Sequence, residues 1–107
     1  MTAKNAGDTV ALCDLARAEC LIGPLKNGDA PVLSDYQRFF SSSAVHMLPI
    51  TPLVCERAAE IRVASVMRIK LPDALHLASA IVHGCGLFLT NDEQLKNCGA
   101  INVEVLN

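Results

Sequence analysis

Aromatic residues are scarce in this sequence, and long apolar runs and strong net charge are absent. Only 4% of the 107 residues are aromatic while 51% are hydrophobic, so the core must be built from Ala, Leu, Ile and Val. No run approaches the ~18 apolar residues that a membrane-spanning helix needs. Residues 1–8 are polar and lack the apolar segment of a secretory signal. We therefore expect a cytoplasmic protein with a single domain.

Paired cysteines and a Gly-rich phosphate loop are also absent from the sequence. The five cysteines are odd in number and widely spaced, which favours reduced thiols over a disulfide framework. A zinc site at His83, Cys85 and Cys98 is disfavoured because paired ligand spacing is lacking. The net charge of -2 argues against binding of nucleic acid through bulk positive charge. An enzyme that contacts RNA through a few local cations remains open.

Hydrophobic patterning predicts short strands that alternate with helices. Leu15, Ala18, Ile22 and Leu25 recur at helical spacing and are expected on the buried face of the first helix. The predicted elements are a strand at 9–12, helices at 13–26 and 31–41, a strand at 45–50, helices at 52–67 and 72–84, a strand at 86–90, a helix at 92–97 and a strand at 101–106. This alternation indicates an α/β fold with a mainly parallel sheet.

Three carboxylates are predicted to lie against apolar surface, where an unpaired charge is costly. Asp73 falls on the apolar side of helix 72–84, and Glu19 falls at the edge of the apolar face of the first helix. Asp92 follows strand 86–90, and ligands bind where parallel strands end. Each acid has an ordinary alternative: a first-turn acid, a surface ion pair and a helix N-cap, respectively. Together they suggest a site for Mg²⁺ or Mn²⁺, which would activate water and neutralise a phosphodiester.

Two further groups of residues have a structural and a functional interpretation. His76 and His83 flank Ser79 on one side of helix 72–84, which predicts a polar stripe facing solvent or an interface. Aromatic residues of helix 31–41 suit packing by their spacing, with contact to RNA bases or to another protein chain as the alternative. These aromatic residues are Tyr36, Phe39 and Phe40.

Two C-terminal motifs carry a resemblance to a known family. The segment LPDALHLA at 71–78, followed by LFLTND at 87–92, closely resembles the second half of PIN domains of the VapC toxin type. The segment LARAE at 15–19 resembles the family's helix that carries its acidic residue. The match covers roughly residues 9–107, with the order and spacing of the elements in register. The resemblance implies a three-layer α/β sandwich with a mainly parallel sheet.

The resemblance also implies an activity, a cofactor and partners. Proteins of this type are metal-dependent endoribonucleases, commonly the toxin of a toxin–antitoxin pair. They are usually dimers, and a C-terminal segment of the antitoxin binds over the active site. By motif position, Glu19, Asp73 and Asp92 correspond to the carboxylates that hold Mg²⁺ or Mn²⁺, and Thr90 and Asn91 support the last of them.

One unit of the family's pattern is absent from this sequence. The family begins with an apolar strand that lies centrally in the sheet and ends in a metal-binding Asp. In this sequence the segment 1–8 is short and polar, and Asp8 precedes a predicted strand instead of ending one. We therefore expect a truncated domain without its first, central strand, with weakened metal affinity and self-association through exposed strand edges. Two functions stay open: a metal-dependent ribonuclease, or an inactive PIN-like module that binds an antitoxin or a homologous subunit.

Overall fold

The chain folds as a small sheet with four helices over the residues that the computed structural model describes, which are 2–4, 10–65, 68–85, 87–90 and 101–105. In chain order the elements are β1 (Thr2–Lys4), β2 (Val10–Cys13), α1 (Leu15–Asn27), α2 (Ala30–Phe40), β3 (Val45–Leu48), α3 (Pro52–Ala64), α4 (Leu71–Val82), β4 (Leu87–Thr90) and β5 (Asn102–Val105). The predicted helix at 92–97 lies outside the described residues. None of the described helices is long and apolar enough to cross a membrane.

Local sequence explains where the helices begin and end. Thr51 caps α3, and its side chain accepts a hydrogen bond of 3.3 Å from the backbone three residues further on. Asp29 caps α2 in the same way, at 3.2 Å. Gly28 after α1 and Gly84 after α4 have φ of 64° and 78°, which favour glycine. The predicted helix breaks at these positions are therefore confirmed.

The sheet has the strand order β3-β2-β1-β4-β5. β2 pairs with β3 in parallel, and β4 pairs with β5 in parallel. β1 lies between the two pairs and runs antiparallel to both of its neighbours. All strands except β1 therefore run in one direction, and the mainly parallel sheet predicted from the sequence is confirmed.

The expectation that the sheet lacks its central strand is wrong, because β1 occupies that position. Ala3 pairs with Ala11 on one side and with Phe88 on the other. The ladder needs only backbone groups, so a short polar segment can satisfy the amides and carbonyls that β2 and β4 would otherwise leave unpaired. This strand nevertheless differs from the first strand that the resemblance implied, since it is polar and carries no carboxylate.

The helices lie on both faces of the sheet. Neighbouring residues of β2 point to opposite faces, as in any strand: Ala11 packs in a core cluster with α3 and α4, and Leu12 packs in a second cluster with α1 and α2. The first cluster is the larger one, and Leu77 of α4 is fully buried in it. This arrangement of helices, sheet and helices agrees with the three layers that the resemblance implied.

The buried face of α1 differs from the predicted one. Ile22 and Leu25 are 63% and 64% exposed, whereas Ala16 and Pro24 are buried and Cys20 is half-buried. The buried positions also recur at helical spacing, but they are small residues. They let α1 approach the sheet and α2 closely, and the larger apolar side chains are left on the outer side.

Candidate functional site

The first part of the site is formed where β2 ends and α1 begins. The backbone N–H of Asp14 donates to the carbonyl of Leu48 over 2.9 Å, which ties the end of β2 to the end of β3. Asp14 then stands at the N-cap position of α1 without capping it through its side chain. Its Oδ1 atom is buried and accepts no hydrogen bond from the described residues. The Nη2 atom of Arg17 lies 3.5 Å from this Oδ1, in a half-exposed pair that contributes little to stability.

Glu19 joins α1 to α4 through His76. The Nε2 atom of His76 lies 2.6 Å from Oε1 of Glu19. An ionised carboxylate can only accept, so the ring nitrogen donates its hydrogen to it. The two side chains differ greatly in exposure: that of His76 is 5% exposed and that of Glu19 is 46% exposed. The contact bridges the two helical layers, with the imidazole on the inner side and the carboxylate toward solvent.

Asp73 lies one helical turn before His76 on the same face of α4. Residues three apart on a helix are neighbours, with about 5–6 Å between their Cβ atoms. Helical side chains also lean toward the N-terminus of their helix, so His76 covers the turn that carries Asp73. Asp73 itself is half-buried. The Glu19 carboxylate is therefore held over the part of α4 where Asp73 lies.

Cys13 and Ser79 lie on the buried side of these carboxylates. Burial raises the pKa of the Cys13 thiol, and its contacts with the Leu15 backbone and the Ser79 hydroxyl offset part of that rise. The negative charges of Asp14 and Glu19 raise the pKa of the same thiol further. Both carboxylates thus act on one buried group, which places Asp14 and Glu19 around the end of β2.

The remaining predicted site residues follow β4. Thr90 is the last residue of β4, and Asn91 and Asp92 lie outside the described residues. β4 runs parallel to β2, so both strands end at the same edge of the sheet. Within the described ranges no three His, Cys, Asp or Glu side chains are grouped so that they could hold a metal ion.

The prediction of a polar stripe on α4 is wrong for two of its three members. His76 is 5% exposed and Ser79 is fully buried, because α4 contacts α3, α1 and the sheet, which together cover most of its surface. His83 is only half-buried, and its Nε2 donates to the carbonyl of Pro49 over 3.1 Å.

Two residues of the site were missed by the sequence analysis. Asp14 was not chosen as a site residue, although it follows a predicted strand just as Asp92 does, and that position was sufficient to find it. His76 was assigned to a stripe facing solvent or an interface, and no local pattern indicates its contact with Glu19, 57 residues away in sequence.

By donor type, the described carboxylates suit a hard divalent cation. Glu19, Asp73 and Asp14 offer oxygen atoms, which Mg²⁺ and Mn²⁺ prefer over nitrogen and sulfur. The buried Oδ1 of Asp14 accepts no hydrogen bond from the described residues and has the Arg17 guanidinium 3.5 Å away, so it also fits a metal cation or a water molecule as a further partner.

Comparison with known proteins supports the same family. A solved structure described as "Toxin-antitoxin complex from Klebsiella pneumoniae" matches with a TM-score of 0.63 and 22% sequence identity, over 83% of this chain and 68% of that chain. At this level of sequence identity, the structural match shows a similar fold. A search of curated proteins gave no match. The family model of the PIN domain, a nuclease family, matches residues 2–100. The chain therefore belongs to the PIN domain family.

Proposed function

We propose that this protein is the toxin of a toxin–antitoxin pair and hydrolyses RNA phosphodiesters with Mg²⁺ or Mn²⁺ at Glu19, Asp73 and Asp92. The observation that carries the proposal is the placement of Glu19, bonded to His76 on the turn of α4 that follows Asp73. PIN nucleases generally use divalent metal ions. Thr90 and Asn91 are proposed to support Asp92 at the end of β4. The protein would act on RNA in the cytoplasm.

In this proposal the carboxylates bind the metal ion and fix its position at the edge of the sheet. A divalent ion, when bound, supplies positive charge to the phosphodiester and activates water. Glu19 and Asp73 come from different helices, so the ion would also hold the two helical layers together at the edge of the sheet. His76 lies behind Glu19 and is too buried to contact a polymeric substrate.

The partner is proposed to be an antitoxin that covers an apolar surface of α2. A groove of about 330 Å³ is lined by Val32, Asp35, Tyr36 and Phe39. Phe39 is 47% exposed and Val32 is 38% exposed, although both are apolar. The matching structure is a toxin–antitoxin complex by its description. We also propose that the protein forms a homodimer.

An inactive binding module is the second candidate, and the composition of β1 favours it. The strand Thr2–Lys4 occupies the centre of the sheet without a carboxylate. A metal site would then have to work without an acid from that position, at the cost of one ligand and one negative charge. In such a module Asp73 and Glu19 would hold no metal ion.

Calorimetric titration with Mn²⁺ at neutral pH separates the two candidates. For the ribonuclease we expect saturable binding of about one ion, abolished in Asp73→Asn and in Asp92→Asn because a hard cation needs both charged oxygens. Cleavage of RNA in the presence of Mn²⁺ should be lost in the same variants. The matched control is Asp35→Asn on α2, an exposed acid paired with Arg38, which should bind Mn²⁺ like the wild type.

The opposite result would favour the binding module. In that case the wild type shows no saturable Mn²⁺ binding. Asp73→Asn should then leave the module folded, with a free energy of unfolding that is unchanged or raised because the substitution removes repulsion between carboxylates.

A further inference from the structure

We infer that His76 is a positioning residue that fixes the carboxylate of Glu19 for the metal ion. This inference rests on the proposed function, because Glu19 is a metal ligand only in that proposal. Its basis is the 2.6 Å contact between Nε2 of His76 and Oε1 of Glu19, which joins a buried ring to a half-exposed acid. His76 does not itself contact the ion or the RNA in this role.

The physical need for such a residue follows from the exposure of Glu19. A glutamate side chain with 46% exposure retains much of its rotamer freedom. Binding of a cation would have to restrict that freedom. The hydrogen bond from His76 restricts it beforehand, because one oxygen is already held at a fixed point on α4.

The environment of His76 makes it a rigid support. Along one face of α4, Asp73 is half-buried, His76 is 5% exposed and Ser79 is fully buried, so this face passes from solvent into the core within two turns. His76 stands at the boundary. Its ring is fixed by packing on the core side, and its Nε2 edge faces the carboxylate on the solvent side.

The structure also argues against a role of this contact in folding alone. A pair with one half-exposed partner contributes little to the free energy of unfolding, because water competes for the exposed carboxylate. His76 therefore has a modest effect on stability through Glu19. Its effect on the orientation of Glu19 is larger, since the hydrogen bond fixes a side chain that would otherwise be mobile.

The test measures Mn²⁺ affinity and stability of the full chain in three variants of His76. His76→Phe fills the same space without a donor, and we expect Mn²⁺ binding to weaken about 10- to 100-fold. His76→Gln places an amide N–H near the position of Nε2 and should restore affinity to within about threefold of the wild type. His76→Asn places its amide near the position of Nδ1 instead, so affinity should stay low. Affinity is measured by calorimetry, and folding is checked by urea denaturation without metal.

His83 on the same helix provides the matched control. Its Nε2 donates to the carbonyl of Pro49 at the other end of α4, so His83→Phe also removes one imidazole hydrogen bond. We expect it to leave Mn²⁺ affinity unchanged. In the Glu19→Gln background, His76→Phe should cause no further loss of affinity, because His76 acts through Glu19.

The possible outcomes separate this inference from the proposed function. If the wild type binds Mn²⁺ and His76→Phe binds equally well, the positioning role is overturned while the metal site stands. Equal weakening in His76→Phe and His76→Gln overturns it as well, since the hydrogen bond would then be irrelevant. If the wild type does not bind Mn²⁺, the proposed metal site fails, and the inference fails with it. Rescue by glutamine but not by asparagine supports the inference.

Discussion

At the scale of single residues, burial controls the chemistry of the thiols. Burial raises the pKa of the Cys85 thiol, which lies 6% exposed in the larger core cluster. Cys13, at the base of the site, has its pKa raised by burial first and by the charges of Asp14 and Glu19 as smaller causes. A thiolate is unfavourable in both places, because a charge loses its hydration there. Both thiols are therefore expected to react slowly with electrophiles at neutral pH.

The raised pKa values predict that the protein loses stability in alkaline solution. In the unfolded chain a thiol ionises near its ordinary pKa of about 9, while the buried thiol of the folded chain stays neutral. The stabilisation is therefore complete below that pH and is lost as the pH rises through the folded-state pKa. For Cys85 the free energy of unfolding should fall by at most about 1.4 kcal/mol per pH unit. Urea denaturation at several pH values from about 7 to about 10.5 measures this slope.

Two alanine variants test the alkaline loss of stability. In Cys85→Ala the free energy of unfolding should decrease less steeply with rising pH than in the wild type. This holds even if the variant is less stable than the wild type at pH 7. Cys55→Ala is the control, because Cys55 is exposed on α3 and its removal should leave the slope as it is in the wild type. Identical slopes in all three proteins would contradict the assignment of the effect to Cys85.

Sequence reasoning at this scale selected candidate acids but not the residues that contact them. Asp73 and Glu19 were chosen because a carboxylate against apolar surface needs a reason, and Glu19 does contact α4. His76 was misplaced because a helical wheel shows which residues share a side but not what covers that side. Asp92 remains a prediction, since it lies outside the described residues.

At the scale of elements, the ends of helices were predictable and their buried faces were less so. The break between α1 and α2 follows from Gly28 and the Asp29 cap, which are local features. On α3, Val54, Ala58 and Ile61 are buried at helical spacing. On α1 the larger apolar residues indicated the wrong side. The choice between two apolar sides depends on the neighbouring elements, which the sequence of the helix does not contain.

The aromatic residues of α2 divide into a packing residue and a surface residue. Phe40 is 4% exposed, with its ring 6.2 Å from that of Tyr36 and 5.3 Å from the guanidinium carbon of Arg17. Phe39 is 47% exposed and lines the groove with Val32. The expectation of packing is therefore confirmed for Phe40. Phe39 presents an apolar surface for which contact with another protein chain is the favoured use.

For α2 we predict that Phe39→Ser weakens binding of the proposed antitoxin at least about 10-fold, because exposed aromatic residues dominate the energy of such contacts. The free energy of unfolding should change by less than about 1 kcal/mol, since half of the ring is already in water. Binding is measured by co-purification with a tagged antitoxin and then by calorimetry of the purified pair.

Leu53→Ser on α3 is the control for the groove. Leu53 is 59% exposed and does not line it, so this variant should bind the antitoxin as the wild type does. Equal binding by Phe39→Ser would exclude this groove as the docking surface. Equal losses in both variants would point to a general effect of surface polarity.

At the scale of the whole molecule, the sheet depends on its shortest strand. The α/β class, the parallel pairs and the two helical layers were predictable, because they follow from the alternation of helices and strands along the chain. The position of β1 was not. Its three residues have no apolar alternation, and their place is decided by the free edges of β2 and β4 rather than by their own side chains. Backbone pairing between segments that are distant along the chain leaves no pattern in the local sequence.

This dependence predicts a large effect of one substitution in β1. Ala3→Pro removes a backbone N–H from a strand that is paired on both sides, and proline is poorly tolerated there. The free energy of unfolding should fall by about 1–3 kcal/mol, the cost of a buried hydrogen-bonding group left without its partner. With β1 displaced, the facing edges of β2 and β4 become available to other chains, so the variant should also self-associate. Urea denaturation and sedimentation velocity measure the two effects.

The matched control for β1 is Ala3→Ser, which keeps the backbone N–H and a small side chain. It should resemble the wild type in stability and in sedimentation. If Ala3→Pro behaves like Ala3→Ser, β1 contributes nothing to the ladder, and the sheet consists of two separate parallel pairs. If Ala3→Pro is destabilised and associates, β1 is the strand that closes the centre of the sheet and keeps its inner edges from pairing with other molecules.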